Sequence, residues 1–316
     1  MQITIPSVSK QLTEEQILNS ISKNYSQIVR FLFNFHTEWL RGSYQTFHDH
    51  DKFIIVQYLV HRTLNFLSTN FIKLDFDSYY SKNQLEIANF NIVDVGRELN
   101  ISKETARRKI LELEKIGAIV KDKKKIILNR SAFNFQKPTK TLSTVSYLLS
   151  KISENLSKNG DLDKKLTSQH VELYMRKNFT HCWKLFYEMQ IPLVLNWKKV
   201  FKDIETWHVW AIIATQKTIK YPSKKLLNRE KFVEDTLQNN KAGVNAMSVS
   251  ELTGIPRATV VRKLNALLKK KFISIDEKKL YSPKRTDLKI FSQMNKKGTL
   301  LQVTFFCKIF NMMQAN

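Results

Sequence analysis

Apolar residues along the chain recur mainly at helical spacing. Ile17, Ile21, Ile28 and Leu32 share one helical face and place one or two helices over about 11–40. The run "DKFIIVQYLVHRTLNFLS" (51–68) reads as a further helix, with "ETWHVWAIIATQKTI" (205–219) as its counterpart. Looser polar stretches follow at about 70–90 and 220–244. Leu142, Val145, Leu149, Ile152 and Leu156 then step 3-4-3-4, predicting a helix over 141–157 with a seam for another helix. Residues 299–313, with Phe305, Phe306 and Phe310, form its aromatic-rich counterpart. "AIVKDKKKIIL" (118–128) and "FISIDEKKLYS" (272–282) each hold two short β-prone runs around a charged turn, predicting small hairpins. The pattern as a whole predicts a mainly α fold with small β-hairpin wings.

These counterparts sit at one fixed offset. "ISKETARRKILELEKIGAI" (101–119) and "IPRATVVRKLNALLKKKFI" (255–273) lie 154 residues apart and agree at 7 of 19 positions, where average usage gives about one by chance. The identities are Ile101/Ile255, Thr105/Thr259, Arg108/Arg262, Lys109/Lys263, Leu113/Leu267, Lys115/Lys269 and Ile119/Ile273. The same offset lays "QLTEEQILNSISKN" (11–24) over "KLTSQHVELYMRKN" (165–178), Phe47 and Asp49 over Phe201 and Asp203, and Gln84 over Gln238. Self-similarity at a single period over nearly the whole chain indicates a tandem duplication. The expected domains are 1–159 and 160–316, with the junction in the polar, Gly160-containing stretch "SKNGDLDKK" (157–165).

Within each copy one small device stands out. Asp94 and Ser248 are expected N-caps, and Ser248 with Glu251 fits a capping box. A short helix follows and ends at Asn100 or Gly254, residues that accept positive φ and so predict a tight turn. Ser102, or Pro256 in the second copy, then opens a longer helix. Ala106, Ile110 and Leu113 line its inner face, as do Val260, Leu264 and Leu267, whereas Lys103, Glu104, Arg107 and Arg108 face away. Short helix, turn, basic helix and hairpin together resemble a winged helix-turn-helix. The segments "VGRELNISKETARRKILELEKIGAI" and "SVSELTGIPRATVVRKLNALLKKKFI" are similar to the DNA-reading motif of Crp/Fnr-type and MarR-type regulators, over about 94–130 and 248–284. The order of surrounding helices favours the MarR type, whose members dimerise through helices flanking the winged helix. The resemblance implies two reading units in one chain and a pseudo-dimer built from their terminal helices.

Charge sharpens this. Fifty-two Lys/Arg against 28 Asp/Glu leave +24, a field suited to a polyanion. Residues 102–130 hold ten basic and four acidic residues and 256–284 nine and two, so under a fifth of the chain carries more than half of the net charge. A solvated lysine-rich surface would spread that charge evenly. Two cysteines make no disulfide framework, and no run approaches the ~18 apolar residues of a membrane span. The start, MQITIPSVSKQLTEE, lacks an apolar signal core. A cytoplasmic, nucleoid-associated protein is expected.

Other chemistry is thinner. His48, Asp49, His50 and Asp51 suggest a metal site, but the second copy reads "FKDIET" and keeps only acids, so Asp49 and Asp203 are expected to cap helices. Cys182 and Cys307 could form a redox switch, although buried apolar cysteines are commoner. Trp183, Trp197, Trp207 and Trp210 read as core. No phosphate-binding glycine loop, nucleophile elbow or carboxylate pair occurs, and neither enzyme activity nor a cofactor is expected.

The expected function is a sequence-specific regulator of transcription that binds double-stranded DNA as a single-chain pseudo-dimer, a monomer or weak dimer in solution. RNA polymerase and a small-molecule effector are the further partners considered. Ser102, Lys103, Glu104, Thr105, Arg107 and Arg108 in the first copy, and Arg257, Ala258, Thr259, Val261 and Arg262 in the second, are the expected groove-facing residues. Lys123, Lys124, Lys125, Lys278 and Lys279 on the wings are expected at phosphates or the minor groove. A plasmid- or phage-type replication initiator, which also uses two winged helices in a basic chain, and a non-specific architectural protein are the alternatives.

Overall fold

The computed structural model describes residues 11–87, 91–122, 125–220, 226–238, 243–284 and 289–314. It is mainly helical with two small antiparallel sheets. The first half runs α1 (Glu14–Lys23), α2 (Tyr25–Phe47), α3 (His50–Thr69), α4 (Phe76–Tyr80), β1 (Gln84–Ile87), α5 (Ile92–Glu98), α6 (Lys103–Lys115), β2 (Ile119–Asp122), β3 (Lys125–Asn129) and α7 (Thr139–Lys158). The second runs α8 (Ser168–Lys177), α9 (Phe179–Phe201), α10 (Ile204–Lys220), α11 (Arg229–Gln238), α12 (Ala246–Thr253), α13 (Arg257–Lys269), β4 (Ile273–Ile275), β5 (Tyr281–Pro283) and α14 (Lys289–Gln314).

Six helices of the first half reappear with their first residues 154 positions later: α1 as α8, α2 as α9, α3 as α10, α5 as α12, α6 as α13, with α4 as α11 within a residue of that offset. The backbone repeats with them. Left-handed φ falls on His48 and Lys202, on Asn100 and Gly254, and on Gly117 and Lys271, three pairs at the same separation. Thr13 and Thr167 cap α1 and α8 through their side chains. Asp49 accepts from the Lys52 N–H and Asp203 from the Thr206 N–H, so the expected capping role of both acids is observed. Each of these caps satisfies an N–H that a helix start leaves open.

Some local expectations need correction. The stretches read as loose and polar contain α4 and α11, and Phe76, Tyr79 and Tyr80 of α4 are buried. Five aromatic-rich residues are too few for a helical period to register. Asp94 and Ser248 are not N-caps. Asn91 and Asn245 take that place three residues earlier, accepting from Val93 and Ser248 N–H groups, while Asp94 pairs with Arg97 at 3.0 Å. Both are Asn, the residue whose short amide competes best for this position. The closing helix α14 begins at Lys289, ten residues before the expected 299.

The two halves interlock. Helix α3 packs chiefly on α9 and, reciprocally, α10 on α2; α7 lies against α8 and α2, and α14 against α9 and α1. The seam residues Leu142, Val145, Leu149, Ile152 and Leu156 are all buried, as are Phe305, Phe306 and Phe310. One continuous apolar cluster runs from Leu12 to Phe310 and draws on both halves. Gly160, with φ of +80°, turns the chain between α7 and α8, where the junction is expected.

Candidate nucleic-acid interface

Helix α6 is held by its apolar face. Ala106, Ile110 and Leu113 have no exposed surface, and neither do Val260, Leu264 and Leu267 on α13. The short helix before each one fits tightly. A Cβ on Gly96 would lie 3.1 Å from the Ile101 carbonyl oxygen, so glycine admits the close approach of α5 to the start of α6. At the matching position Ser250 donates its hydroxyl to the Ile255 carbonyl at 2.7 Å. Different side chains thus close the same turn.

The opposite face is free. Lys103, Glu104, Arg107 and Arg108 are exposed, as are Arg257, Ala258, Val261 and Arg262, while Thr105 and Thr259 are half-buried. Ser102 caps α6, accepting from the Thr105 N–H at 3.1 Å, and its hydroxyl donates to Thr105 Oγ1 at 2.8 Å. Pro256 starts α13 without a side-chain cap. No ion pair engages Lys103, Arg107, Arg108, Arg257 or Arg262 among the described residues.

The lysines on the inner flank behave differently. Lys109 Nζ lies 2.5 Å from Asp49 Oδ2 and 3.3 Å from Glu112, and Lys263 Nζ lies 2.7 Å from Asp203 Oδ1. Burial draws the Asp49 carboxyl upward, but hydrogen bonds from Lys109 and the Lys52 N–H, with their charges, outweigh it and hold it below its ordinary value. Asp203 is lowered in the same way, against burial, by Lys263 and Thr206. The sequence displayed both identities at one offset but not that they touch. Arg130, counted within the focused charge, is also turned inward. It is buried beneath Tyr79, Tyr80 and Phe135 and donates from Nη1 to the Tyr79 and Lys82 carbonyls at 3.2 and 3.0 Å.

Both expected hairpins form. β2 and β3 pair antiparallel, with Ile119 opposite Leu128 and Asp122 opposite Lys125, and β1 adds a third strand beside β3. Lys123 and Lys124 lie outside the described residues. Lys125 pairs with Glu86 of β1 at 2.8 Å, which raises its pKa. In the second hairpin β4 pairs with β5, and Asp276 and Lys279 close the turn, Lys279 taking φ of +58°. Lys278 and Lys279 are exposed.

The remaining candidates separate in space. His48 ends α2 with a left-handed φ, Asp49 caps α3 and pairs with Lys109, and Asp51 pairs with Lys198 of α9 at 2.7 Å. His50 is buried between Ser43 Oγ at 2.7 Å and His208 Nδ1 at 3.3 Å. Among the described residues no three His, Cys, Asp or Glu converge as metal ligands. Cys182 and Cys307 are both buried, and burial pushes the Cys182 thiol up to about 12, so neither offers an exposed thiolate. Trp183, Trp197 and Trp207 are buried and Trp210 packs half-buried against the core. Trp197, Trp207 and Trp210 also line a cavity of about 140 Å³ between the halves, whose counterpart carries Ser43, Phe53 and Val56 at the matching positions, faces Trp183 and Phe186 of α9 and measures about 310 Å³.

Among the described residues no helix is long and apolar enough to cross a membrane. Compared with models of known families, with curated proteins and with solved structures, the chain matches none.

Proposed function

We propose that this chain is a sequence-specific regulator of transcription, not an enzyme, that binds duplex DNA through two winged helix-turn-helix units acting as a single-chain pseudo-dimer. The observation that carries this reading is the sorting of charge on α6 and α13. On each helix the inward lysine is neutralised by an aspartate, whereas Lys103, Arg107 and Arg108, or Arg257 and Arg262, stand exposed and unpaired among the described residues. Exposed, uncompensated cations on a helix that follows a tight turn suit a major groove and its phosphates. Wing lysines Lys278 and Lys279 suit phosphate contact beside it. The cytoplasm, on the nucleoid, is the location this role requires. RNA polymerase is a further partner of such a regulator, and the 310 Å³ cavity beneath the first wing is where a small effector fits.

The two reading faces differ, which suits an asymmetric bipartite site. Glu104 can accept from a cytosine amine, whereas Ala258 and Val261 offer only apolar contact to a thymine methyl. Selection of bound duplexes from a random pool tests this directly. The expected motif has two unlike halves, the second richer in T, and Glu104→Ala relaxes one base pair of one half by roughly 1–3 kcal/mol. A perfect palindrome, or an equal loss in both halves, contradicts the asymmetry. No motif at all contradicts sequence-specific reading.

A further inference from the structure

Given the proposed reading role of α6 and α13, on which it rests, we infer that Lys109 and Lys263 are positioning residues that hang both reading helices from one polar bridge with a buried histidine pair at its centre and thereby fix the half-site separation. The bridge starts at Lys109 on α6, which contacts Asp49, the cap of α3. The next residue, His50, meets His208 on α10 across the two halves at 3.3 Å. Five residues back on that chain, Asp203 caps α10 and holds Lys263 on α13. Six side chains therefore connect one reading helix to the other through the first turns of two helices, with no flexible loop between them. The lysine side chains keep only 14% and 16% of their exposure, and both histidines are buried.

Such placement removes both lysines from the pool of phosphate contacts and gives them a geometric task. Groups locked on helices and by packing hold a constellation more tightly than groups carried on loops. The anchoring acid has the same arrangement in both copies although most neighbours have diverged. Glu112, which adds a second tie to Lys52 at 3.2 Å, is Ala266 in the other copy. A brace retained on both sides points to a requirement shared by both reading helices, their distance from a common centre.

The test uses the full chain with Asp49→Asn and Asp203→Asn together, since Asn caps a helix as well as Asp does but cannot form the charged pair. Affinity is measured on duplexes whose half-sites are moved apart or together by one or two base pairs, each of which rotates one half by about 34°. The wild type is expected to lose about tenfold or more per base pair, and the variant less than about threefold, with its salt slope unchanged within about one. A folded variant with the wild-type spacing penalty overturns the inference, as does a salt slope reduced by about two when the lysines themselves are replaced, which would make them phosphate contacts. Lys109→Met with Lys263→Met cuts the same pairs from the other side and decides the matter if the Asn variant folds poorly. Absence of any duplex binding by the wild type overturns the DNA reading and this inference with it, whereas wild-type binding with an unaltered variant overturns this inference alone.

Discussion

His50 has a half-buried aspartate on either side in the sequence, yet is itself almost wholly buried. Burial lowers its pKa from 6.5 to about 3, with Asp49 and Asp203 pulling upward and Lys263 downward, and burial also holds His208 well below its ordinary value. An imidazole depressed in this way takes its proton first in the unfolded chain. Its contribution to stability is complete above pH 6.5 and is lost as pH falls through the window down to about 3. The lost stability approaches about 1.4 kcal/mol per pH unit for each such histidine. Asp49 and Asp203 are also depressed, so their share too is lost on acidification, but only below their ordinary 3.8. Urea unfolding in steps from pH 7 to 4 should therefore fall steeply in the wild type and less steeply in His50→Asn. Equal slopes would remove His50 from the acid response. At this scale the sequence revealed residues but not partners: Asp49 was legible as a cap, and its bond to Lys109, 60 positions away, was not.

Elements were the most legible level, because hydrophobic period and capping act over a few residues. Helices α3, α6, α7 and α13 lie where their apolar spacing placed them, α2 continues past the expected end near 40 to Phe47, and the turns at Asn100 and Gly254 adopt the expected left-handed φ. Helix α4 escaped notice because five residues buried by their aromatics carry no period, and α11 because its polar run marks a slight inner face, with Phe232 buried and Val233 exposed. The seam of α7 makes a direct prediction. Leu149→Ala should destabilise the chain by about 2–5 kcal/mol, the usual cost of emptying a fully buried leucine site, while Leu173→Ala, at a side chain 61% exposed, should change stability by under about 0.5 kcal/mol. Similar losses would mean the α7 seam is not packed as described. The wings predict a different quantity. Lys278→Gln with Lys279→Gln should weaken binding on all sequences alike and flatten the salt dependence by about two units. Unchanged slope would take these lysines off the DNA. Lys125, held by Glu86, should contribute less than either.

For the whole molecule, the reciprocal packing of α3 on α9 and α10 on α2 is what a two-fold dimer shows when residue i meets j and j meets i, here achieved within one chain. Among the described residues the seam side chains of α7 and α14 are already buried against α8, α2, α9 and α1, so these seams do not call for a second chain. The chain is expected to sediment as a monomer in dilute solution and to bind its duplex one-to-one. A tight dimer at nanomolar concentration would contradict this.

The amino-acid sequence by itself determined the helices and hairpins, the 154-residue repeat and the basic outer faces of α6 and α13, because each depends on residue type and spacing within a short window. Only the tertiary structure decided which charges face solvent. Lys109, Lys263 and Arg130 look like their neighbours in the chain and differ from them only in having a distant carboxylate, carbonyl or ring within reach. Tertiary structure also decided that two similar halves build one core instead of two. Apolar seams state that a partner surface is needed, and nothing in their spacing says whose. That choice fell to the fit of α3 against α9 and of α10 against α2, a property of the assembled surfaces that no local pattern contains.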